Sequence, residues 1–274
     1  MKQLSIVTGA SAGIGFEMAK SLAGLSHDLL LVSRDEGKLQ RAAARIRELH
    51  PAVTIHTLAV DLATPDAAQR VFEWTEALGV EVDVLINNAG VGVYGEHVEL
   101  ERTALSRMFQ LNVTSLCELC LLYGQQMKAR GRGRILNVAS TAAYQPTPFF
   151  AAYGASKAFV LNFSEGLAKE LEDFGVTVSC VSPGPTDTAF FADLDGRGIS
   201  NDHFEKGTRD QASDVARIGI ETLFSGRLSR VVGTKNFWLT SMNRFAPRSV
   251  VARFAKGLMR ASSVPESRPQ LTGQ

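Results

Sequence analysis

The sequence has few of the residues that build disulfide or metal scaffolds. It contains three cysteines, an odd number, which excludes a framework of paired disulfides. Cys117 and Cys120 match a C-x-x-C pattern, but they fall in a segment with helical periodicity. We therefore expect buried helix cysteines rather than a redox pair. The five histidines show no metal-ligand spacing, so we predict no metal site.

Long apolar runs and a charge bias are also missing. No uninterrupted apolar run approaches the ~20 residues that cross a bilayer, so no transmembrane segment is predicted. The formal net charge is +1, so the chain lacks the large positive charge that is typical of proteins that bind nucleic acid. The start of the chain has no charged segment followed by an apolar core and a cleavage site. We therefore expect a cytoplasmic protein.

The sequence does contain alternating short apolar strands and longer helical segments. The predicted strands are Leu4 to Thr8, Leu29 to Ser33, Val53 to Val60, Val82 to Ile86, Ile135 to Ala139 and Val176 to Val181. The predicted helices are Gly15 to Leu25, Asp35 to Leu49, Pro65 to Leu78, Val98 to Met127 and Ala152 to Asp173. Several strands lack period-two alternation, which is typical of strands covered on both faces.

This alternation predicts an α/β fold. Repeated strand–helix units indicate a single Rossmann-type doubly wound parallel sheet of about seven strands, with helices on both faces. No linker or repeat divides the chain, so residues 1–274 are expected to form one domain, with a helical extension at 236–262. Thr64 and Pro65 indicate a helix start, and Gly79 and Gly175 indicate helix ends.

A tyrosine and a lysine lie four residues apart in the segment that begins at Ala152. On a helix, Tyr153 and Lys157 share one face. A free tyrosine ionises near pH ~10, and a cation held beside it is expected to lower that pKa toward neutrality. Spacing alone fits a solvated helix face as well, so the pair needs support from the rest of the chain.

A glycine-rich turn follows the first predicted strand and opens the first helix. It contains Gly9, Gly13 and Gly15, with Ser11 and Ile14 between them. Glycines permit a tight turn and a close backbone approach, and the helix amides that follow face a pyrophosphate. Such a turn is a weak signal by itself. Its position in a βαβ unit predicts dinucleotide binding.

The glycine turn and the Tyr153/Lys157 pair together resemble the short-chain dehydrogenase/reductase family, from about Leu4 to Thr188. Further matches occur in the family's order: Asp61 and Leu62, the run Asn87 to Gly90 with Asn88 and Ala89, then Asn112, Ser140, Pro183, Gly184, Thr186 and Thr188. The resemblance implies that these residues bind the cofactor or act in catalysis.

The resemblance also implies a role for each catalytic residue. Tyr153 protonates the developing alkoxide, and Ser140 donates a hydrogen bond to the substrate oxygen. Lys157 holds the nicotinamide ribose, and Asn112 holds a water that connects Lys157 to solvent. Two alternatives stay open. Ser140 is also suited to cap a turn, and Asn112 to be a satisfied core amide.

The end of the second strand decides which cofactor is expected. Folds that prefer NAD usually carry an acid there, whereas this chain has Ser33 followed by Arg34. A guanidinium binds a 2′-phosphate bidentately, and Lys38 adds charge one turn later. Asp35 is expected to cap the next helix. We therefore predict NADP(H), although a solvated surface role for Arg34 remains open.

Aromatic residues occur where the resemblance implies substrate contacts: Phe149, Phe150, Phe190, Phe191 and Trp238. They favour a hydrophobic ketone or aldehyde as the small-molecule substrate, although aromatic residues also fill cores. The segment 186–210, which is rich in Gly, Asp and Arg, is predicted to form a substrate lid.

The segment from Arg248 to Arg260 is predicted to form a basic amphipathic helix. It is suited to dock on its own protein, to join an oligomer interface or to rest on a membrane surface, and docking on its own protein is favoured. The family commonly forms dimers or tetramers through the two long helices. The resemblance therefore implies a homodimer or homotetramer.

Three functions remain open. The first is an NADPH-dependent carbonyl reductase, in which Tyr153 is the general acid. The second is an epimerase or dehydratase that uses NAD(P) transiently, for which steady oxidation of added NADPH is the discriminating observation. The third is a catalytically silent NADPH sensor. Such sensors tend to have lost the tyrosine or lysine, and this chain keeps both.

Overall fold

In a computed structural model, residues 4–188, 209–243 and 245–260 are described. A seven-stranded parallel sheet has the order β3-β2-β1-β4-β5-β6-β9. Its strands are β1 Leu4–Thr8, β2 Asp28–Ser33, β3 Ile55–Ala59, β4 Val82–Asn87, β5 Gly133–Val138, β6 Val176–Ser182 and β9 Ser229–Val231. Two short strands, β7 Thr186–Asp187 and β8 Asp210–Gln211, pair separately. The predicted doubly wound parallel sheet is confirmed.

Helices cover both faces of the sheet. They are α1 Gly13–Gly24, α2 Glu36–Leu49, α3 Ala67–Leu78, α4 Arg102–Phe109, α5 Ser115–Arg130, α6 Ala151–Leu171, α7 Ala212–Ser225, α8 Thr234–Met242 and α9 Arg248–Met259. Ile6 of β1 packs with α3, α5 and α6, whereas its neighbour Val7 packs with α1, α2 and α7. Because both faces of the strand are buried, period-two alternation is absent.

The predicted helix from Val98 to Met127 is interrupted. It is divided into a short 3₁₀ turn, the helix α4, a π-helical turn at Gln110–Thr114 and the helix α5. The side chain of Asn112, in the π turn, bonds to both the backbone N–H and C=O of Val91. The extra residue in the turn is compatible with the apolar periodicity, so the sequence pattern does not reveal it.

The predicted helix start at Thr64 and Pro65 is wrong. Helix α3 begins at Ala67, after Asp66 in a left-handed conformation with φ of 58°. The Thr64 hydroxyl donates instead to the Asp61 carbonyl at 2.8 Å, in a turn that follows β3. The predicted helix ends at Gly79 and Gly175 are confirmed, since both are left-handed caps.

The cysteines lie in the sheet and in α5. Cys120 and Cys180 are buried, and Cys117 is half-buried on the same helix as Cys120. Burial raises the pKa of the Cys120 thiol to about 12. A protonated thiol is a poor nucleophile, which agrees with the expected structural role. Among the helices that the structure describes, none is long and apolar enough to cross a bilayer.

Gly131 and Gly175 form a matched pair for testing this backbone. Both are left-handed, with φ of 72° and 71°, so alanine at either position costs about 1–2 kcal/mol. A Cβ at Gly175 would also lie 2.3 Å from the Gly131 carbonyl oxygen, whereas a Cβ at Gly131 meets nothing within 4 Å. We expect Gly175→Ala to lower the free energy of unfolding more than Gly131→Ala does, measured by urea denaturation. Equal losses would contradict the described contact.

Candidate active site

The site lies where β1 and β4 are neighbours at the carboxyl edge of the sheet. The chain leaves these two strands in opposite directions, which opens a crevice between them. Thr8, at the end of β1, is almost fully buried, and its hydroxyl accepts from the N–H groups of Asn88 and Ala89, each at 3.0 Å. The Asn88 amide donates to the Thr8 carbonyl at 2.9 Å. The turn after β1 is therefore fixed against the segment after β4.

The glycine turn packs directly on this junction. A Cβ at Gly15 would lie 2.4 Å from the Asn88 amide nitrogen, so only glycine fits there. Gly13 lies beside Thr188, whose methyl carbon would be 3.0 Å from an added Cβ. The cap residue Ala12 makes no side-chain hydrogen bond to α1, and the first turn carries no acid. These helix amides are suited to an anionic group.

The end of β2 carries the residues predicted to select the cofactor. Ser33 donates to Ser11 in the glycine turn at 3.0 Å, which brings the two segments together. Arg34 and Lys38 are exposed. Asp35 caps α2 by accepting from the Lys38 N–H at 2.9 Å, as predicted. The positive groups at this edge are therefore accessible to a ligand.

Asp61, predicted with Leu62 to contact the adenine, is held by a residue that the sequence did not single out. Arg107 of α4 donates to the Asp61 carboxylate at 2.6 Å, and the Ala63 N–H donates at 2.9 Å. Burial opposes ionisation, but these bonds and the charge of Arg34 hold the pKa of Asp61 below its usual value. The Leu62 side chain is buried in the core. Of the two side chains, only that of Asp61 is partly exposed to solvent.

The Ser140 side chain lies beside the Tyr153 phenol, where its hydroxyl acts to lower the pKa of that phenol. Ser140 also caps the turn Thr141–Tyr144 by accepting from the Ala142 N–H at 3.1 Å. It therefore combines the capping role, left open above, with a contact to the predicted general acid.

Tyr153 lies in the first turn of α6 and is half-buried. Burial raises its pKa to about 12, although Ser140 acts in the opposite direction. The net shift is opposite to the lowering expected from Lys157, because burial dominates; the effect of the Lys157 charge itself stays a prediction. A phenol with such a pKa keeps its proton at neutral pH.

Lys157 is a buried ammonium one turn after Tyr153. Its Nζ lies 6.0 Å from the centroid of the tyrosine ring and donates to the Val138 carbonyl at 2.9 Å. Burial lowers the pKa of Lys157 to about 8. An ammonium has three donors, and this protein bond uses one of them. The other two donors make no hydrogen bond to the described residues.

Asn112 is placed next to Lys157 across Gly90. A Cβ at Gly90 would lie 3.3 Å from both the Asn112 side-chain oxygen and the Lys157 Nζ. The Asn112 amide also donates to the Ser156 hydroxyl at 3.2 Å, and that hydroxyl donates to the Tyr153 carbonyl at 2.7 Å. The side chain is the satisfied core amide considered above. The predicted water-holding role stays a prediction.

The segment after β6 closes the other side of the crevice. Pro183 accepts from the Thr141 N–H at 2.8 Å, which ties this segment to the turn that Ser140 caps. Thr186 donates to the Gly184 carbonyl at 3.0 Å. Thr188 lies beside Gly13, as described above. Most of the predicted lid at 186–210 lies outside the described residues; its ends form β7 and β8.

Aromatic rings lie beside Tyr153 in the crevice. The Phe150 ring lies 5.5 Å from the Tyr153 ring and 4.9 Å from that of Tyr94, a residue the sequence analysis missed. Phe149, in a left-handed conformation with φ of 64°, lies 6.0 Å from Tyr94. Trp238 was predicted with this set, but it is 64% exposed on α8 and outside this cluster. Phe190 and Phe191 lie outside the described residues.

Two curated relatives and one solved structure place this site among known proteins. An uncharacterized oxidoreductase of Staphylococcus saprophyticus is 33% identical over 193 residues, which cover 70% of this chain and 82% of the relative. A very-long-chain 3-oxoacyl-CoA reductase of Pyrenophora tritici-repentis is 36% identical over 188 residues. The aligned residues cover 68% of this chain and 55% of that relative, so this chain spans about half the length of the relative.

The structural likeness extends over nearly the whole chain. A short-chain dehydrogenase from Sphingobium yanoikuyae in complex with NADPH has a TM-score of 0.78 and 26% identity. The superposition covers 97% of this chain and 100% of the Sphingobium yanoikuyae chain. The family model described as short chain dehydrogenase matches residues 3–197, the part that carries the glycine turn, Ser140, Tyr153 and Lys157. The chain belongs to the short-chain dehydrogenase family of oxidoreductases.

Proposed function

We propose that the protein reduces a hydrophobic ketone or aldehyde to an alcohol, with NADPH as the hydride donor. The observation that carries the proposal is the placement of Ser140 beside Tyr153, one helical turn from the buried Lys157 ammonium. This arrangement supplies a protonated phenol, a second hydroxyl donor and a cation within one crevice. Carbonyl reduction requires the protein to supply each of these three groups.

The crevice fits the proposed cofactor. The uncapped amides of α1 suit a pyrophosphate, and the spare donors of Lys157 suit ribose hydroxyls. At the end of β2, Ser33 avoids the charge repulsion that an acid would impose on a 2′-phosphate, and the exposed Arg34 can pair with it. The Sphingobium yanoikuyae protein is in complex with NADPH, which supports the same assignment here.

Proton transfer follows from the positions of the hydroxyl groups. NADPH supplies the hydride to the carbonyl carbon when it is bound. Ser140 donates to the carbonyl oxygen and stabilises the charge that develops there. Tyr153 then gives its phenolic proton to that oxygen, which is a stronger base than a phenolate. The ammonium of Lys157 stabilises the remaining phenolate until the proton is replaced.

An apolar substrate is supported by the rings beside Tyr153. Tyr94 and Phe150 are buried, so the general acid lies against an apolar wall. One relative is named as a very-long-chain 3-oxoacyl-CoA reductase, which supports a carbonyl on an apolar chain. The direct test is NADPH consumption with aliphatic, aromatic, steroid-like and 3-oxoacyl-thioester ketones. Turnover of sugars alone would contradict the substrate class.

The predicted homodimer or homotetramer, single domain and cytoplasmic location remain proposals. Exposed apolar side chains on the two long helices support the oligomer, since Leu121 of α5 and Phe159 of α6 are 59% and 42% exposed. Sedimentation velocity of the full chain measures the oligomeric state directly. A monomer at micromolar concentration would contradict the expectation.

Tyr153→Phe removes the proposed general acid and leaves the ring in place. We expect kcat with a good ketone to fall about 10²–10⁴-fold while NADPH still binds, because only the proton donor is lost. Tyr123→Phe is the matched control, since it removes a buried phenol oxygen of α5 that bonds to Thr75. Turnover by Tyr153→Phe within a few-fold of the wild type would exclude this assignment.

Arg34→Ala tests the choice of cofactor. We expect the Kd for NADPH to rise about tenfold or more, because a charge-assisted pair with the 2′-phosphate is lost, while the Kd for NADH changes little. Isothermal titration calorimetry measures both constants. Arg70→Ala removes another exposed arginine, on α3, and should change neither. Equal weakening of NADPH and NADH would refute the 2′-phosphate contact.

Lys157→Met tests the cost of the buried ammonium. Its folded pKa is about 8, below the ordinary value of 10.5, so the charge destabilises the fold fully below pH 8. We expect the free energy of unfolding of the variant to be about 1–3 kcal/mol higher near pH 7. This net gain allows for the lost hydrogen bond to the Val138 carbonyl, which offsets part of the relief. The gain should shrink as the pH rises from 8 to 10.5. Urea unfolding across this range checks it, and a gain that grows with pH would contradict the burial cost.

A further inference from the structure

Helices α8 and α9 and the turn between them expose many large apolar side chains. Within the described residues, nineteen large hydrophobic side chains are exposed, and eight of them lie in this short segment. They are Phe237, Trp238, Leu239, Met242, Phe245, Val250, Phe254 and Leu258. We call these eight residues the α8–α9 surface. Such a concentration marks an interaction site, because exposed hydrophobic residues are normally scattered singly.

The apolar residues of α9 form two lines along the helix. One line faces the protein and contains Ala255, which is buried. The other contains Val250, Phe254 and Leu258 at four-residue spacing, with exposures of 56%, 68% and 40%. The sequence favoured docking of this helix on its own protein. The buried Ala255 agrees with that expectation for the first line, whereas the described residues leave the second line exposed.

The same part of the sequence is strongly basic. Between residues 222 and 265 the chain has eight lysines and arginines and no aspartate or glutamate. Because the whole chain has a formal net charge of +1, the remainder is net acidic. Lys235, Arg248, Arg253 and Lys256 are exposed and make no ion pair with any residue in the described ranges. The positive charge is therefore available to a partner.

We propose that the α8–α9 surface docks on an anionic lipid bilayer. Aromatic and aliphatic side chains enter the boundary between headgroups and acyl chains, and the neighbouring cations pair with lipid phosphates. Trp238 suits this boundary, since its ring is apolar and its indole N–H can bond to a headgroup. An isologous contact with a second copy would bring like charges together, because Lys235, Arg248, Arg253 and Lys256 would face the same residues of that copy. A nucleic acid would leave the apolar side chains in contact with phosphate and water.

The α8–α9 surface is connected to the proposed catalytic site. The Tyr94 hydroxyl donates to the Met259 carbonyl, at the end of α9, at 2.6 Å. The Tyr94 ring packs on Phe150, which packs on Tyr153. If the proposed function holds, docking brings the site close to substrates dissolved in lipid. The docking itself does not depend on that function.

Vesicle flotation of the full chain tests the proposal. We expect the protein to float with vesicles of phosphatidylcholine mixed with phosphatidylglycerol, and to bind vesicles of phosphatidylcholine alone at least tenfold more weakly. Trp238→Ser/Phe254→Ser and Arg253→Gln/Lys256→Gln should each reduce binding to the mixed vesicles on the order of tenfold or more. Circular dichroism and NADPH binding report whether each variant is folded, separately from any turnover.

Matched control variants test whether the loss of any exposed apolar or positive residue reduces vesicle binding. Leu49→Ser changes an apolar residue that is 60% exposed on α2, and Arg70→Gln/Arg102→Gln removes two exposed arginines outside the basic segment. Both controls should bind like the wild type. Absence of binding to mixed vesicles, or equal losses in the controls, would overturn the proposal. An oligomer that dissociates only in Trp238→Ser/Phe254→Ser would assign the surface to a second copy instead.

Discussion

The hydrogen bonds between Thr8 and Asn88 are the constraint on which the crevice depends. They join the end of β1 to the segment after β4, at the point where the chain leaves the sheet in opposite directions. Gly15 can approach this junction only because it has no Cβ. The uncapped start of α1 is thereby held at one side of the crevice, and Gly90 is held next to Lys157 at the other. One junction therefore positions both the residues proposed to bind the dinucleotide and those proposed to transfer the proton.

Burial of Lys157 has a cost in stability, because the pKa of its ammonium is lowered. Burial also raises the pKa of Tyr153, so the phenolate is disfavoured. Such an arrangement suits a reductase, because the phenol remains protonated until charge develops on the substrate oxygen. Ser140 caps its own turn and lies beside Tyr153. The same residue therefore stabilises the loop and positions the acid.

The sequence predicted the fold, and the order of the candidate site residues along the chain, well. Strands β1 to β6 are short segments rich in apolar residues between helices, so their places followed from the pattern. β9 is three half-buried residues, Ser229–Val231, and no period can be recognised over that length. The π turn around Asn112 and the Asp61–Arg107 pair depend on tertiary contacts between distant segments. The net pKa shift of Tyr153 is opposite to the expected one because the depth of burial is not visible in a local motif.

The central claim is that hydride from NADPH and a proton from Tyr153 reach one carbonyl in this crevice. Following the hydride with an isotope tests it most directly. The wild-type protein is incubated with a hydrophobic ketone and NADPH carrying deuterium at both C4 positions of the nicotinamide, and the alcohol is examined by mass spectrometry and NMR. The account predicts one deuterium on the carbinol carbon of the product. An alcohol without deuterium at that carbon, or NADPH that binds without any label reaching the ketone, would contradict it.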